Sequence, residues 1–381
     1  MINIKLAVIL PAYNEELVIA KTVQSILDAG MSANKIYVIN DASKDKTSKI
    51  AAEFNINVVT NTGITEKRRQ ERRADAFRSV GRRKKEINLG KANGVTNILS
   101  KILADKSQDI THICFMDADT LVDVEYFNSI YRRLHNDEIL CNQTGKRKID
   151  ILCGKVKSIP HNWLTSFRAY ELWMSHAIHK VAQSTINSVT VAPGCASTYS
   201  IKALKDVIWS DDTSTEDMDA TVQVALSGGV IKYEASAVVY TQDPNTIKDY
   251  FGQIQKRWYP GTWQVMGKHK ILLHGLFSLF HWECRMMMLE PVFFVGIILY
   301  TLFSNPINLI QFLGLSYLIV IPLAFIAAIH EKRFDILKYS LIFPIILIIN
   351  LFTFVWNIGN IFKRSKKTLK WYSPERYVLV K

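Results

Sequence analysis

Three short polar stretches hold the carboxylates best placed for chemistry. Asp117-Ala118-Asp119 leaves the apolar run Ile113-Cys114-Phe115-Met116 and puts two carboxylates in one tight turn. Hard oxygen donors that close together suit a divalent cation held against a diphosphate. Asx residues also populate ordinary turns, so the pair alone reads as turn chemistry too. Asp41, in Asn40-Asp41-Ala42-Ser43, can accept a hydrogen bond from a base N–H or simply precede a helix opening at Asp45-Lys46-Thr47. Pro11-Ala12-Tyr13-Asn14-Glu15 is the third stretch. No G-x-G-x-x-G follows a strand and no G-x-x-x-x-G-K-[ST] occurs, so dinucleotide and P-loop readings lose their main support.

These residues need a sheet to bring them together. The first 120 residues alternate apolar runs with helical patterns, which predicts βαβ units in a mostly parallel α/β sheet. Strands are expected at Leu6 to Leu10, Ile36 to Ile39, Val58 to Thr60 and Ile113 to Met116, with a helix carrying Ile19, Val23, Ile26 and Leu27 on one face. The three polar stretches follow the first, second and fourth strands. Open α/β sheets bind ligands outside the carboxyl ends of their strands, so one cleft is predicted.

Composition restricts the rest. The 381 residues carry a net charge of +13, which admits nucleotide phosphates, anionic lipid or nucleic acid as partners. Five cysteines form no C-x-x-C pair and no even disulfide set, as expected of reduced thiols. A mean hydropathy of +0.07 beside so much charge requires segregated apolar segments. Pro291 to Ile329 lacks a charged residue and is broken only by the Ser304 to Asn308 turn, which predicts a hairpin of two spanning helices. Tyr339 to Phe362 is long enough for another. Basic residues near the span ends place both ends of the hairpin in the cytosol. Lys363, Arg364, Lys366, Lys367 and Lys370 also ask for the cytosol, so the last segment is re-entrant or Ile271 to Phe280 inserts deeply. No signal peptide precedes the first strand.

With its motifs in this order the sequence resembles the family 2 inverting glycosyltransferases. The membrane-embedded members, cellulose, chitin, hyaluronan and poly-N-acetylglucosamine synthases, are the nearest in pattern. Pro11-Ala12-Tyr13-Asn14-Glu15 resembles a nucleotide-contacting P-x-Y-N-E, and Asp41 lies in a stretch like D-D-G-S-x-D-x-T. Asp117-Ala118-Asp119 matches D-x-D, Thr215-Glu216-Asp217 matches T-E-D, and Arg257-Trp258 matches the end of Q-x-x-R-W. Departures are Asn40 for the first Asp of D-D, Thr96 where an Asn would follow Gly90-Lys91-Ala92, and Ile254 where Gln would stand, with Gln253 and Gln255 beside it. Trp371-Tyr372-Ser373-Pro374-Glu375-Arg376 is similar to a W-x-S-P-D-R ending of poly-N-acetylglucosamine synthases.

The resemblance implies a GT-A (Rossmann-like) transferase domain over 1–265, with a basic insertion at 62–89, followed by interfacial and transmembrane helices over 266–381. It implies a UDP-sugar donor bound by Pro11, Ala12, Tyr13, Glu15, Asp41, Lys91, Asp117, Ala118 and Asp119, with Mg²⁺ or Mn²⁺ on Asp119 and Asp117. Asp217 would be the general base, Glu216 and Arg257 its catalytic neighbours, and Gly194, Gln255 and Trp258 would line the acceptor. The acceptor would be a growing β-linked polysaccharide or, in the rival reading, a ceramide or polyprenyl-phosphate lipid. The enzyme would sit in the cell membrane as a multi-pass protein with its catalytic domain in the cytosol, its basic insertion on anionic lipid or merely solvated. A basic membrane protein that binds nucleic acid is a third reading. The insertion lacks interleaved aromatics apart from Phe77, so no nucleic-acid partner is expected.

Overall fold

The computed structural model describes residues 4–61, 91–104, 109–210, 212–362 and 376–377. The basic insertion at 62–89 lies outside the described residues. Eight strands form one mixed sheet in the order β3-β2-β1-β4-β7-β6-β8-β5. The parallel half is β1 (Leu6–Ala12), β2 (Ile36–Asn40), β3 (Asn57–Thr60) and β4 (His112–Phe115), within a residue or two of the predicted strands. The other half comprises β5 (Thr120–Val122), β6 (Ile151–Ser158), β7 (Ser197–Ser200) and β8 (Ile231–Thr241). There β7 runs antiparallel to both β4 and β6, and β5 antiparallel to β8.

Alternation along β1 builds a core on each face. Leu6, Val8, Leu10 and Ala12 join Val23 and Ile26 of the helix Ile19–Asp28, whereas Ala7 and Ile9 join Val95, Ile98 and Ile102 of the helix Lys91–Ala104. A strand covered on both faces needs apolar residues at every position, which is why it reads as a continuous run rather than as an alternation. Burying each such Leu or Ile contributes roughly 1.5–3 kcal/mol. Along β6 the register with β8 slips between Gly154 and Lys155. A Cβ at Gly154 would stand 2.7 Å from the Ala237 carbonyl, so glycine is needed there. Past the slip, Lys155 and Lys157 reach Glu331 at 2.6 and 2.8 Å.

Glu331 closes the second of three apolar helical segments long enough to cross a membrane: Leu279–Ser304, Ile307–Glu331 and Phe334–Phe362. The hairpin turn falls where the sequence predicts it, with Asn305 accepting the Ile307 N–H at 3.0 Å. The first helix begins twelve residues before Pro291 and includes Glu290 and Arg285. Ile271 to Ser278 is turn, with Ile271 buried and Leu273, Leu276 and Phe277 exposed. The third segment differs from the other two. It breaks at Ser340–Ile342 and again after Trp356, and it touches the transferase sheet's helices along its length. Near its start Asp335 accepts from Ser166 Oγ at 2.5 Å, mid-way Asn350 bonds Glu171 and Tyr250 at 3.1 and 2.6 Å, and Trp263 Nε1 donates to the Phe354 carbonyl at 3.0 Å. Near its end Ile361 packs against Gly267, where any Cβ would collide with the backbone.

Candidate active site

The loops after β1 and β2 are laced together by side chains. Asn14 adopts φ 55, a conformation short polar side chains tolerate. Its Oδ1 accepts the Lys44 N–H at 2.8 Å, and its own N–H donates to Ser43 Oγ at 3.1 Å. The Glu15 N–H donates to Thr47 Oγ1 at 2.8 Å and the Glu16 N–H to Asp45 Oδ2 at 3.1 Å. Burial raises the Asp45 carboxyl, but the hydrogen bonds from Thr47 and Glu16 outweigh it and hold the group below its ordinary value. Pro11 and Ala12 form the end of β1, paired with Ile39 and Asn40, and Tyr13 beyond them is exposed. Asp41 is buried and accepts from Asn61 Nδ2 at 2.8 Å, while Asn61 Oδ1 accepts from Asn97 Nδ2 at 2.9 Å. Asn97, next to Thr96, thus joins the Asp41 network through Asn61. Lys91 opens its helix.

Asp119 directly precedes β5, whose Thr120 pairs with Thr241 of β8. Its carboxylate meets Arg376, Nη1 to Oδ2 at 2.5 Å, and the same guanidinium grips Glu15 through Nε and Nη2, both at 2.9 Å. Burial pushes the Asp119 carboxyl up to about 6; Arg376 opposes the rise, while Asp117 and Glu15 add to it by repulsion. The Asp119 and Asp117 carboxylates are hard oxygen donors in a site that draws positive charge, which fits Mg²⁺ or Mn²⁺. Among the described residues no three His, Cys, Asp or Glu side chains converge as a closed metal cage. A cation here would complete its shell with diphosphate oxygens and water.

The second half of the site sits at the start of the helix Glu216–Leu226, where the helix dipole favours anions. Asp217 Oδ2 accepts the Gly194 N–H at 3.0 Å and Oδ1 the Met218 N–H at 2.8 Å. Register explains the meeting of the halves: Phe115 of β4 pairs with Ser197 of β7, so the chain runs on to Asp117 from one strand and back to Gly194 from the other. Val95, Phe115 and Trp209 wall a small cavity onto which Gly194, Glu216 and Asp217 open. Glu216 is buried, 3.9 Å from Arg257 Nη2. A Cβ at Gly261 would stand 2.6 Å from Thr215 Cγ2, so that glycine lets the helix Tyr259–Lys268 close on the T-E-D turn. Burial would raise the Asp219 carboxyl, yet His269 and Lys268, at 2.6 and 2.7 Å, hold it below its usual range and brace the same helix.

Arg257 and Trp258 occupy a π-helical turn, Ile254–Trp258, a local irregularity that often accompanies function. One face of the Trp258 ring lies 4.9 Å from the Arg168 guanidinium. Arg168 in turn bonds Asp243 at 3.0 Å and Glu171 at 2.6 Å. Gln255 is exposed on this turn and Gln253 is half-buried. Cys195 packs beside the core, as a small apolar residue would.

Family models match this arrangement over most of its length. The one described as Glycosyl transferase family 2 covers residues 7–208, and the one described as Glycosyl transferase family group 2 covers residues 112–358. The chain belongs to glycosyltransferase family 2. It is 26% identical over 274 residues to a poly-beta-1,6-N-acetyl-D-glucosamine synthase of Staphylococcus epidermidis, covering 71% of this chain and 56% of that one. The same enzyme of Staphylococcus aureus strain COL is 24% identical over 274 residues, with the same coverage. The chain thus spans little more than half the length of these curated relatives. Among solved structures, a mannosyltransferase from Pyrobaculum calidifontis, in complex with GDP-Man and Mn²⁺, superposes with a TM-score of 0.54 at 14% identity, over 94% of this chain and 88% of that one. It shares the GT-A fold.

In this family 2 glycosyltransferase the motif residues thus fall into two clusters, one around Glu15, Asp117 and Asp119 and one around Glu216, Asp217 and Arg257. Sequence reasoning assigned no role to Arg376, Arg168, Asn61 or Asn97. Only Arg376 carried a signal, its place in the W-x-S-P-E-R stretch.

Proposed function

We propose that this glycosyltransferase moves a sugar, N-acetylglucosamine or glucose, from a UDP-sugar onto a growing β-linked polysaccharide, inverting the anomeric carbon. The observation that carries the reading is Asp217, oriented by the Gly194 and Met218 N–H groups, at the sheet edge shared with Asp117. The names of the staphylococcal relatives support the polymer and the sugar.

Asp217 takes the proton of the acceptor hydroxyl as its oxygen bonds to C1, and the electron pair of the C1–O bond leaves with the UDP diphosphate. Mg²⁺ or Mn²⁺ bound by Asp119 and Asp117 would neutralise that diphosphate. Asp41 and its asparagine relay hold the nucleoside end, with Pro11, Ala12 and Tyr13 beside it. Arg257, anchored near Glu216, adds a fixed positive charge to the cleft. Trp258, its ring held under the Arg168 guanidinium, would line the acceptor. One displacement without a covalent intermediate turns an α-linked donor into a β-linkage.

Helix length and contacts support a membrane arrangement. Leu279–Ser304 and Ile307–Glu331 cross as a hairpin whose ends lie on the catalytic side, in the cytosol. Phe334–Phe362 touches the catalytic domain near both ends and in its middle, which supports a re-entrant or interfacial segment over a third crossing.

Membranes carrying the protein, supplied with a panel of nucleotide sugars and assayed for UDP release and product, test the reading. UDP release with a β-linked polymer is expected. A single-sugar lipid product would replace the acceptor by a lipid, and no UDP release from any donor would overturn the donor assignment.

A further inference from the structure

Glu15 and Asp119 come from different motifs, and both are almost fully buried, with side chains 9% and 8% exposed. Buried carboxylates demand a counter-charge, and here it is one guanidinium supplied from 361 residues away in sequence. All three nitrogens of Arg376 are engaged, a bidentate fork on Glu15 and one bond to Asp119. The position is built rather than incidental. Asp119 and Gln242 flank the Thr120–Thr241 pair, on adjacent strands. Gln242 Nε2 donates to the Tyr377 carbonyl at 3.1 Å, and its Oε1 accepts the Tyr377 N–H at 3.4 Å. The Tyr377 ring lies 4.4 Å from that of His161. The anchor on Tyr377 thus delivers Arg376 to the carboxylate that the proposed function gives to the divalent ion.

We propose that Arg376 is a donor-site residue: a tethered counter-ion that holds the cation position on Asp119 and yields it only to a divalent ion arriving with a nucleoside diphosphate. The inference rests on the donor reading above. A bare Mg²⁺ or Mn²⁺ would have to expel a guanidinium from two buried carboxylates and leave it beside like charge with no anion to meet. A metal–diphosphate pair brings its own anion, on which the displaced fork can settle while Tyr377 keeps it close. Metal and diphosphate therefore enter together, and a bare cation competes poorly.

Mn²⁺ binding to the full-length protein in detergent, read by electron paramagnetic resonance with and without UDP, tests this. Wild type should bind Mn²⁺ weakly alone and at least tenfold more tightly with UDP. Arg376→Gln should bind Mn²⁺ alone several-fold more tightly, lose most of the UDP dependence, and bind UDP with Mn²⁺ more weakly. Arg376→Lys, which keeps the charge without the fork, should fall between. Gln242→Ala loosens the anchor while leaving the carboxylates in place and should shift Mn²⁺ binding in the same direction by less, which guards against misfolding of the Arg376 variants. Equal Mn²⁺ affinity without UDP in wild type and all three variants overturns the tether while leaving the donor site standing. Failure of wild type to bind Mn²⁺ even with UDP overturns the metal assignment and the tether with it.

Discussion

The two sides of the cleft hold carboxylates in opposite ways. On the side proposed for the donor, Glu15 and Asp119 share one side-chain cation, Arg376. On the side proposed for the base, Asp217 is held by two backbone N–H groups at a helix start. The difference matches the two tasks. A leaving diphosphate calls for exchangeable positive charge, whereas a proton acceptor must keep one oxygen aimed while its charge changes. The backbone is the more rigid holder, and an arginine side chain is the more adaptable one.

The contrast breaks most sharply at Asp217. Asp217→Asn keeps its size but cannot take the proton, and transfer should fall by about 10²–10⁴-fold while UDP affinity stays within a factor of about two. Turnover near wild type, measured as UDP release, would remove the base from that position. Removing divalent ions with a chelator strikes the other side: transfer should fall by about 10²-fold or more and return with Mn²⁺, with donor binding weakened in parallel. Asp119→Ala should behave like chelation but resist rescue, and rescue by Mn²⁺ would move the metal elsewhere.

Smaller effects separate positioning from chemistry. Asn350→Leu removes a buried hydrogen-bond partner from Glu171 and Tyr250, costing about 1–3 kcal/mol of stability. The effect should appear as a lower melting temperature with UDP binding retained; loss of UDP binding instead would tie the third apolar segment to the donor side. A pH effect is expected at His112 on β4. Its imidazole is lowered to about 4 by burial, with Glu138 opposing and Lys148 adding to the shift. The unfolded chain binds that proton near 6.5, so stability from this group is full above 6.5 and lost as pH falls toward 4, by about 3 kcal/mol at most. His112→Gln should flatten the fall of melting temperature between pH 6.5 and 4.5, and an unchanged slope would assign it to other groups.

Much of this was legible in sequence because the signals are local. β1, β2 and β4 are runs too apolar for anything but a doubly covered strand, and each releases its polar motif at the same sheet edge. The hairpin of long helices follows from an uncharged stretch broken by one Asn-Pro turn. β6 and β8 were not foreseen, because Lys155, Lys157 and Glu234 break their apolar pattern; in β6 the lysines are there for Glu331, an interaction across 176 residues. Arg376 stood out in sequence only through its W-x-S-P-E-R stretch; its partners did not, since only the folded sheet brings Gln242 beside Asp119. The Asn97 relay to Asp41 was missed by one position, because a helix can present either of two neighbouring residues to a strand end depending on how it docks.

The double lysine clamp on Glu331 also couples mechanics to chemistry. It fastens the foot of a helix able to cross the bilayer to the strand lying next to β8, the strand whose end bears Gln242. A tilt of that helix would therefore pull, through those two ion pairs, on the neighbour of the strand that carries Gln242.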